Sequence, residues 1–357
     1  MRIQRLAPLI GCAVAAMMCV PATAWAAPVP PGTTTHDNLL AAMHGEAFAY
    51  AKYLDFAEVA KASGNTALAD LFTQTGNQEL NEHYAELAGL ASLVGTNEQN
   101  LTAAITGETY EHTTMYPGFA ADATASGVPK LAELFTELAG DEGVHAADYG
   151  LARDFVTGVT GAAVPAGQVA HVEPVVVGAA KTTDKTNLAN LNTAMHGEAF
   201  AYASYMLYAK AAKDTGQPAV SALFTATATV ERYEHFREEA VWAGLYGDNA
   251  ANLKDCISGE LYETQTMYPA FAAQARAAGY TQAADLFTEL AGDEALHAKA
   301  FQAALDALTK PAGPTIETGG AIAAPDSAPL ALMSLALVLV SAGVALAGVR
   351  RRIRVTR

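Results

Sequence analysis

Residues 107–120 read GETYEHTTMYPGFA and residues 259–272 read GELYETQTMYPAFA. Each stretch sets two glutamates three residues apart, Glu108 with Glu111 and Glu260 with Glu263, just before a Met-Tyr-Pro. The glutamates sit among apolar helical neighbours. Glu46 has Met43, Tyr50 and Tyr53 at −3, +4 and +7, and Glu108 has Leu101, Ala104, Ile105, Met115 and Tyr116 on its face. Glu142 follows Phe135, Leu138 and Ala139 and precedes His145 and Tyr149. A lone carboxylate on a core face would take up a proton rather than stay charged. Several in one bundle need compensating positive charge, and few lysines or arginines lie near them in the sequence. Metal cations supply that charge. The spacing agrees: Glu142 and His145 form a Glu-x-x-His, whose i,i+3 geometry aims both at one point. Glu79 follows Glu46 by 33 residues, as Glu142 follows Glu108 by 34. One glutamate from each of two helices with Glu-x-x-His from another is a di-metal pattern of four-helix bundles. Carboxylates with one or two imidazoles suit iron or manganese better than zinc or copper.

The elements that must position these residues are written twice. MHGEAFAYAKY at 43–53 returns as MHGEAFAYASY at 195–205, and LFTELAGDEGVHA at 134–146 returns as LFTELAGDEALHA at 286–298, always 152 positions on. Apolar residues recur at three- and four-residue spacing with almost no β-type alternation. In the first copy this predicts helices over about 36–62, 65–94, 98–126 and 129–155. They are split at Ser63-Gly64-Asn65, Gly95-Thr96-Asn97 and Gly127-Val128-Pro129. Short connections favour antiparallel neighbours. The expected fold is all-α: two tandem four-helix bundles, at 34–157 and 186–309, each copy holding one di-metal site. Residues 44–60 also echo residues 106–123, so helices one and two look related to helices three and four. Residues 158–185, rich in Gly, Pro, Ala and Val, read as a linker, and 310–329 as a stalk.

The ends read as targeting segments. Residues 1–26 carry Arg2 and Arg5, an apolar run and Ala24-Trp25-Ala26, the pattern of a secretory signal peptide. Leu9-Ile10-Gly11-Cys12 resembles a lipoprotein box, but its apolar run is shorter than the usual ~7–15 residues. Residues 330–349 form an uncharged apolar run of bilayer-spanning length, followed by an arginine-rich tail at 350–357. The bulk is therefore expected outside the cytoplasm, anchored by a C-terminal transmembrane helix. Thr315-Ile316-Glu317-Thr318-Gly319 offers the alternative of cell-wall attachment after C-terminal processing, although the usual preceding Leu-Pro is missing. Without the terminal arginines, 14 basic residues face 37 acidic ones. That surface argues against a nucleic-acid partner. After signal removal Cys256 is the one cysteine left, which excludes internal disulfides and cysteine-held zinc or rubredoxin-type iron. It reads as a small core residue.

Gly-Glu-x-x-x-Ala-x-x-x-Tyr, then Gly-Glu-x-Tyr-Glu-x-x-x-Met-Tyr-Pro, then Glu-x-x-His resemble the diiron domain of the rubrerythrin family, in the ferritin-like superfamily. The likeness covers nearly all of both repeats. It implies two non-haem diiron centres, with manganese or mixed iron–manganese occupancy as alternatives. The implied ligands are Glu46, Glu79, Glu108, Glu111, Glu142 and His145, with Glu198, Glu231, Glu260, Glu263, Glu294 and His297 in the second copy. Tyr53, Tyr116, Tyr205 and Tyr268 would hydrogen-bond ligating carboxylates. Helix two departs from the family. Where Glu-x-x-His is expected, the sequence has Glu79-Leu-Asn-Glu82-His83 and Glu231-Arg-Tyr-Glu234-His235. Helical register favours Glu82 and Glu234 as ligands, with His83 and His235 as the alternatives.

Of the other histidines, His44 and His196 point about 200° round the helix from the following glutamate and read as exposed. His112 is Thr264 in the second copy, which speaks against an essential role. Pro117 and Pro269 should bend helix three, making room for Glu111 and Glu263 to move on and off the metal. The resemblance implies an oxidoreductase that reduces hydrogen peroxide. Because the chain has no rubredoxin module, its electrons must come from an external donor. Two other functions share the same residues: a ferroxidase or oxidase using Fe(II) and O2, and a non-catalytic iron-binding or sensing protein. The two bundles could pair within the chain or in a homodimer.

Overall fold

The computed structural model describes residues 28–310. The expected signal peptide, membrane helix and arginine tail, and all but the first residue of the stalk, lie outside the described residues. Among those described, no helix is long and apolar enough to cross a membrane.

The predicted breaks are where the helices start. Asn65 caps α2 by accepting from the Leu68 amide, and Thr96 with Gln99 forms a capping box that opens α4. Gly64 and Gly127 turn the chain with φ of +80° and +75°, a region that costs other residues. The first copy runs α1 (Thr34–Ala62), α2 (Thr66–Gln78), α3 (Ala85–Ala91), α4 (Asn97–Tyr110), α5 (Tyr116–Ala125) and α6 (Pro129–Val156). The second runs α7 (Lys185–Asp214), α8 (Pro218–Val230), α9 (Phe236–Ala243), α10 (Asn249–Tyr262), α11 (Tyr268–Ala277) and α12 (Thr281–Thr309). One π-helical turn joins each pair α2–α3, α4–α5, α8–α9 and α10–α11. Each pair is therefore one continuous rod, and each copy supplies four rods. Met115 and Met267 close two of these turns just before Pro117 and Pro269, so the expected break in helix three takes the form of a widened turn.

Two four-helix bundles result, but their membership differs from the sequence expectation. Besides its own α2, α1 packs on α7, α10 and α11 of the second copy. Conversely, α7 packs on its own α8 and on α1, α4 and α5 of the first. One bundle is α1, α2–α3, α10–α11 and α12; the other is α4–α5, α6, α7 and α8–α9. The domains at 34–157 and 186–309 are thus sequence repeats rather than self-contained bundles, and the described residues 28–310 make one compact unit. The reason is the near identity of the copies. A helix-three face suits the other copy's helix one as well as its own, and nothing in either sequence separates the two pairings.

The bundles meet along α1 and α7, whose middle turns, 49–53 and 201–205, are buried on every side. Alanines Ala42, Ala47, Ala199 and Ala203 are at most 1% exposed. Around a local pseudo-twofold axis the Tyr50 and Tyr202 hydroxyls lie 3.2 Å apart. His44 stacks on Phe200 and His196 on Phe48, each with ring centroids 4.0 Å apart. The expectation that His44 and His196 are exposed is therefore corrected. They point away from their own helix's glutamates, as read, but the surface they point at is the other copy. Burial lowers both imidazoles, His196 to about 4. The linker does not hang free. Its Glu173, Gly178 and Lys181 amides donate to the carbonyls of Tyr233, Tyr246 and Trp242, tying it along α9 and its flanks.

Candidate metal centres

Each bundle holds one cluster of buried ligands drawn from both copies. In the first centre Glu46, Glu79, His83 and Glu294 bring one oxygen or nitrogen each within 4.8 Å of one another, and so do Glu79, Glu260, Glu294 and His297. The second centre repeats this with Glu108, Glu142, His145 and Glu231, and with Glu142, Glu198, Glu231 and His235. The two groups in each centre share two glutamates. Glu79 and Glu294 therefore stand where they would bridge a metal pair, as do Glu142 and Glu231. Each metal position then has one histidine and one further glutamate of its own. The expectation of one site per copy is corrected accordingly.

The histidines face inward through Nδ1. His83 Nδ1 is 2.8 Å from Glu79, 3.1 Å from Glu294 and 3.6 Å from Glu46. His297 Nδ1 is 2.7 Å from Glu294, 3.1 Å from Glu79 and 3.5 Å from Glu260. In the second centre His145 Nδ1 stands 2.8 Å from Glu142 and 3.1 Å from Glu231, and His235 Nδ1 2.9 Å from Glu231 and 3.1 Å from Glu142. Behind them, Nε2 of His83 and of His235 lies 3.7 Å from Asp293 and Asp141. Those aspartates precede Glu294 and Glu142 in the repeated Gly-Asp-Glu, and sequence reasoning passed over them. A carboxylate behind a ligating imidazole fixes its orientation.

The four tyrosines singled out from the sequence all donate to a ligand carboxylate, and each does so across copies. Tyr53 donates to Glu260, Tyr268 to Glu46, Tyr205 to Glu108 and Tyr116 to Glu198. Tyr116 also donates to Glu239, at 2.8 Å. Glu239 is fully buried, and its counterpart in the first copy is Leu87. Its only sequence signal was that difference between the copies.

Helix two explains its own departure from the family pattern. Glu79–Tyr84 and Glu231–His235 are π-helical turns, in which i→i+5 bonding rotates each residue less. Position +4, not +3, then returns to the glutamate's face. His83 and His235 are at most 2% exposed and enter the clusters. Glu82 is exposed, and Glu234 turns away to accept from the His171 amide at 2.6 Å. The register preference for Glu82 and Glu234 is corrected, because it assumed an unbroken α-helix. Glu82→Ala should leave metal content unchanged. His83→Ala should weaken metal binding in the first centre by more than the ~10–100-fold that losing an outer partner costs, read by metal analysis after dialysis.

Glu111 and Glu263 stand beside the clusters, half-buried rather than in them. Glu111 comes within 3.4 Å of where a side chain on Gly197 would begin, and Glu263 within 3.3 Å of the same place on Gly45. The glycine of each His-Gly-Glu is thus where the other copy's third helix brings its carboxylate close. His112 stays outside the clusters, its Nδ1 2.6 Å from the Ala139 carbonyl oxygen. Cys256 is fully buried, as expected.

Charge balance supports a metal role. In each centre Glu79 or Glu231 has both oxygens, and His83 or His235 both nitrogens, buried without a hydrogen-bond partner. Groups so placed are costly unless something else satisfies them. In the metal-free protein, burial and then neighbouring carboxylates push Glu111 up to about 8. Burial likewise raises Glu260 to about 8, against the pull of His297. For Glu294, His297 and His83 outweigh burial and hold it down at about 2. A raised carboxylate favours the fold below its unfolded value near 4.5, and that contribution is lost as pH rises toward 8. The depressed Glu294 acts oppositely, its contribution being lost as pH falls from about 4.5 toward 2. The metal-free protein should therefore have its highest Tm near pH 4.5 and lose several degrees by pH 8. Metal should reverse the upper decline by displacing those protons, as thermal scans with and without Mn(II) would show.

Residues 37–152 and 189–305 each match the rubrerythrin family profile. The chain belongs to the rubrerythrin family. That family carries non-haem diiron centres and consists of oxidoreductases, and the buried carboxylate–histidine clusters suit such centres. The chain is 34% identical over 149 residues to nigerythrin of Nitratidesulfovibrio vulgaris, a match covering 38% of this chain and 74% of that protein. It is 35% identical over 131 residues to rubrerythrin of Porphyromonas gingivalis, covering 33% of this chain and 65% of the relative. With rubrerythrin of N. vulgaris the identity is 33% over 127 residues, covering 32% and 66%. The chain thus spans about two thirds of the length of these two rubrerythrins. No solved structure matches at a significant level.

Proposed function

We propose that the protein reduces hydrogen peroxide to water at two diiron centres, drawing electrons from an external donor. The observation that carries this reading is the doubled cluster: two ligand groups sharing two glutamates that would bridge a metal pair, a tyrosine on each unshared glutamate, and a third-helix glutamate beside them. Bound iron would supply the two electrons that peroxide cleavage needs.

The remaining work falls to the chain. The shared and unshared glutamates would hold the metals and balance their charge, and one histidine would serve each metal position. Tyr53, Tyr116, Tyr205 and Tyr268 hold four carboxylates in one orientation. Asp141 and Asp293 place a carboxylate 3.7 Å behind the His235 and His83 rings. Glu111 stands half-buried beside the second cluster.

The signal-peptide pattern and terminal apolar run support placing this activity outside the cytoplasm, anchored at the membrane or attached to the cell wall after processing. To test the function, the full chain is loaded anaerobically with Fe(II) and mixed separately with peroxide and with O2. Oxidation of about four irons per chain, fastest with peroxide and repeated when reductant is added, is the expected result. Faster oxidation by O2 would point instead to a ferroxidase. Bound iron that does not turn over would point to a binding or sensing protein.

A further inference from the structure

We infer that the second centre, unlike the first, has a seat for an organic hydroperoxide ROOH with an apolar R group. The inference rests on the peroxide-reducing reading above and concerns which peroxide each centre accepts. Between α4 and α7 lies a cavity of about 700 Å³, its mostly apolar wall including Leu40, Met115, Phe200 and Tyr205, with polar groups such as His196 and Glu111. Tyr205 donates to the ligand Glu108, so the inner end of the cavity adjoins the metal cluster. The volume falls within the ~300–1,000 Å³ usual for small-molecule sites. Hydrogen peroxide has two heavy atoms and is held by hydrogen bonds, so apolar walls of this extent contribute little to binding it. An apolar substituent would be driven onto them by loss of contact with water, leaving its hydroperoxide group at the polar, Glu111 end.

The chain contains its own control. The pseudo-symmetric positions at the first centre replace Ser204 by Lys52, Ala103 by Asp255 and Ala104 by Cys256. The Lys52 ammonium reaches Asp255 at 2.9 Å and lies over the rings of Phe48 and Tyr53, 5.3 and 5.4 Å from their centroids. It also comes within 3.7 Å of where a side chain on Gly259, the counterpart of Gly107, would begin. An ion pair thus crosses the space that stays open at the second centre.

The reaction is the proposed one with one hydrogen of the peroxide replaced. The O–O bond breaks; two electrons from the reduced metal pair and two protons from solvent give ROH and water.

The test uses the full chain, with cumene hydroperoxide as oxidant and 2-phenyl-2-propanol, its stable product, as binding probe. Calorimetric titration with the alcohol should show one site per chain, lost in Ala103→Trp at the exposed mouth and in Ser204→Lys. In the ferrous protein, cumene hydroperoxide should rapidly oxidise about half the iron, whereas hydrogen peroxide oxidises all of it. Ala103→Trp should lower the ratio of the cumene hydroperoxide rate to the hydrogen peroxide rate by about tenfold or more. The double variant Lys52→Ser with Asp255→Ala should add a second rapid phase. No binding of the alcohol, or equal oxidation of both centres by cumene hydroperoxide, would overturn the inference. So would an unchanged rate ratio in Ala103→Trp. Failure of hydrogen peroxide itself to oxidise the iron would instead sink the peroxide-reducing reading, and the alcohol titration would still report on the seat.

Discussion

Replacing Asp55 by alanine is expected to destabilise the protein by about 3–5 kcal/mol, as urea unfolding of the full chain would show. Asp55 is fully buried on α1 and accepts from Arg232, Arg237 and Tyr246, all of the second copy. Arg232 is itself fully buried, and its other side-chain bond runs to the Ala51 carbonyl at 2.6 Å. Without Asp55 its charge has no buried counter-ion. Arg237 would suffer less, since it keeps Glu58 at 2.5 Å and the Glu173 carbonyl at 2.9 Å. The pseudo-symmetric positions carry Leu207, Leu80, Ala85 and Val94. The chain thus carries both a charged and an apolar version of the same contact. Replacing Asp55, Arg232 and Arg237 together by Leu, Leu and Ala should therefore recover most of the loss, as buried ion clusters exchanged for packed apolar groups do. The same asymmetry favours pairing unlike copies. Two first copies paired with each other would set Asp55 against Leu80 and Ala85.

Much of this was legible from residue spacing. The repeat, the eight rods and their breaks followed from apolar period and cap chemistry. Glutamates on core-facing stripes pointed to buried, compensated carboxylates, and all eight of Glu46, Glu79, Glu108, Glu142, Glu198, Glu231, Glu260 and Glu294 lie in the clusters. Three things were not legible, each for a physical reason. Helical period assumes one rotation per residue, so a π-helical turn reversed the choice between Glu82 and His83. Side-chain direction on one helix says nothing about what lies opposite, so His44 and His196 were read as exposed although each stacks on the other copy. And because the two copies present nearly identical faces, no pattern within either could show which copy supplies the second half of each centre. The asymmetric residues Asp55 and Arg232 held a trace only of unlike copies facing each other, not of which halves share a bundle. Such a difference between repeats gains meaning once the surfaces are known to meet.

That each centre is shared between the copies is tested most directly by counting iron in two quadruple variants of the full chain. The first removes ligands from one copy alone: Glu79→Ala, His83→Ala, Glu142→Ala and His145→Ala. The second removes them from both copies: Glu79→Ala, His83→Ala, Glu294→Ala and His297→Ala. With shared centres the first variant damages both and should retain almost no iron. The second damages one centre and should keep the other, about two irons per chain. The reverse result, about two irons in the first variant and almost none in the second, would mean that each copy builds its own site and would contradict the shared architecture.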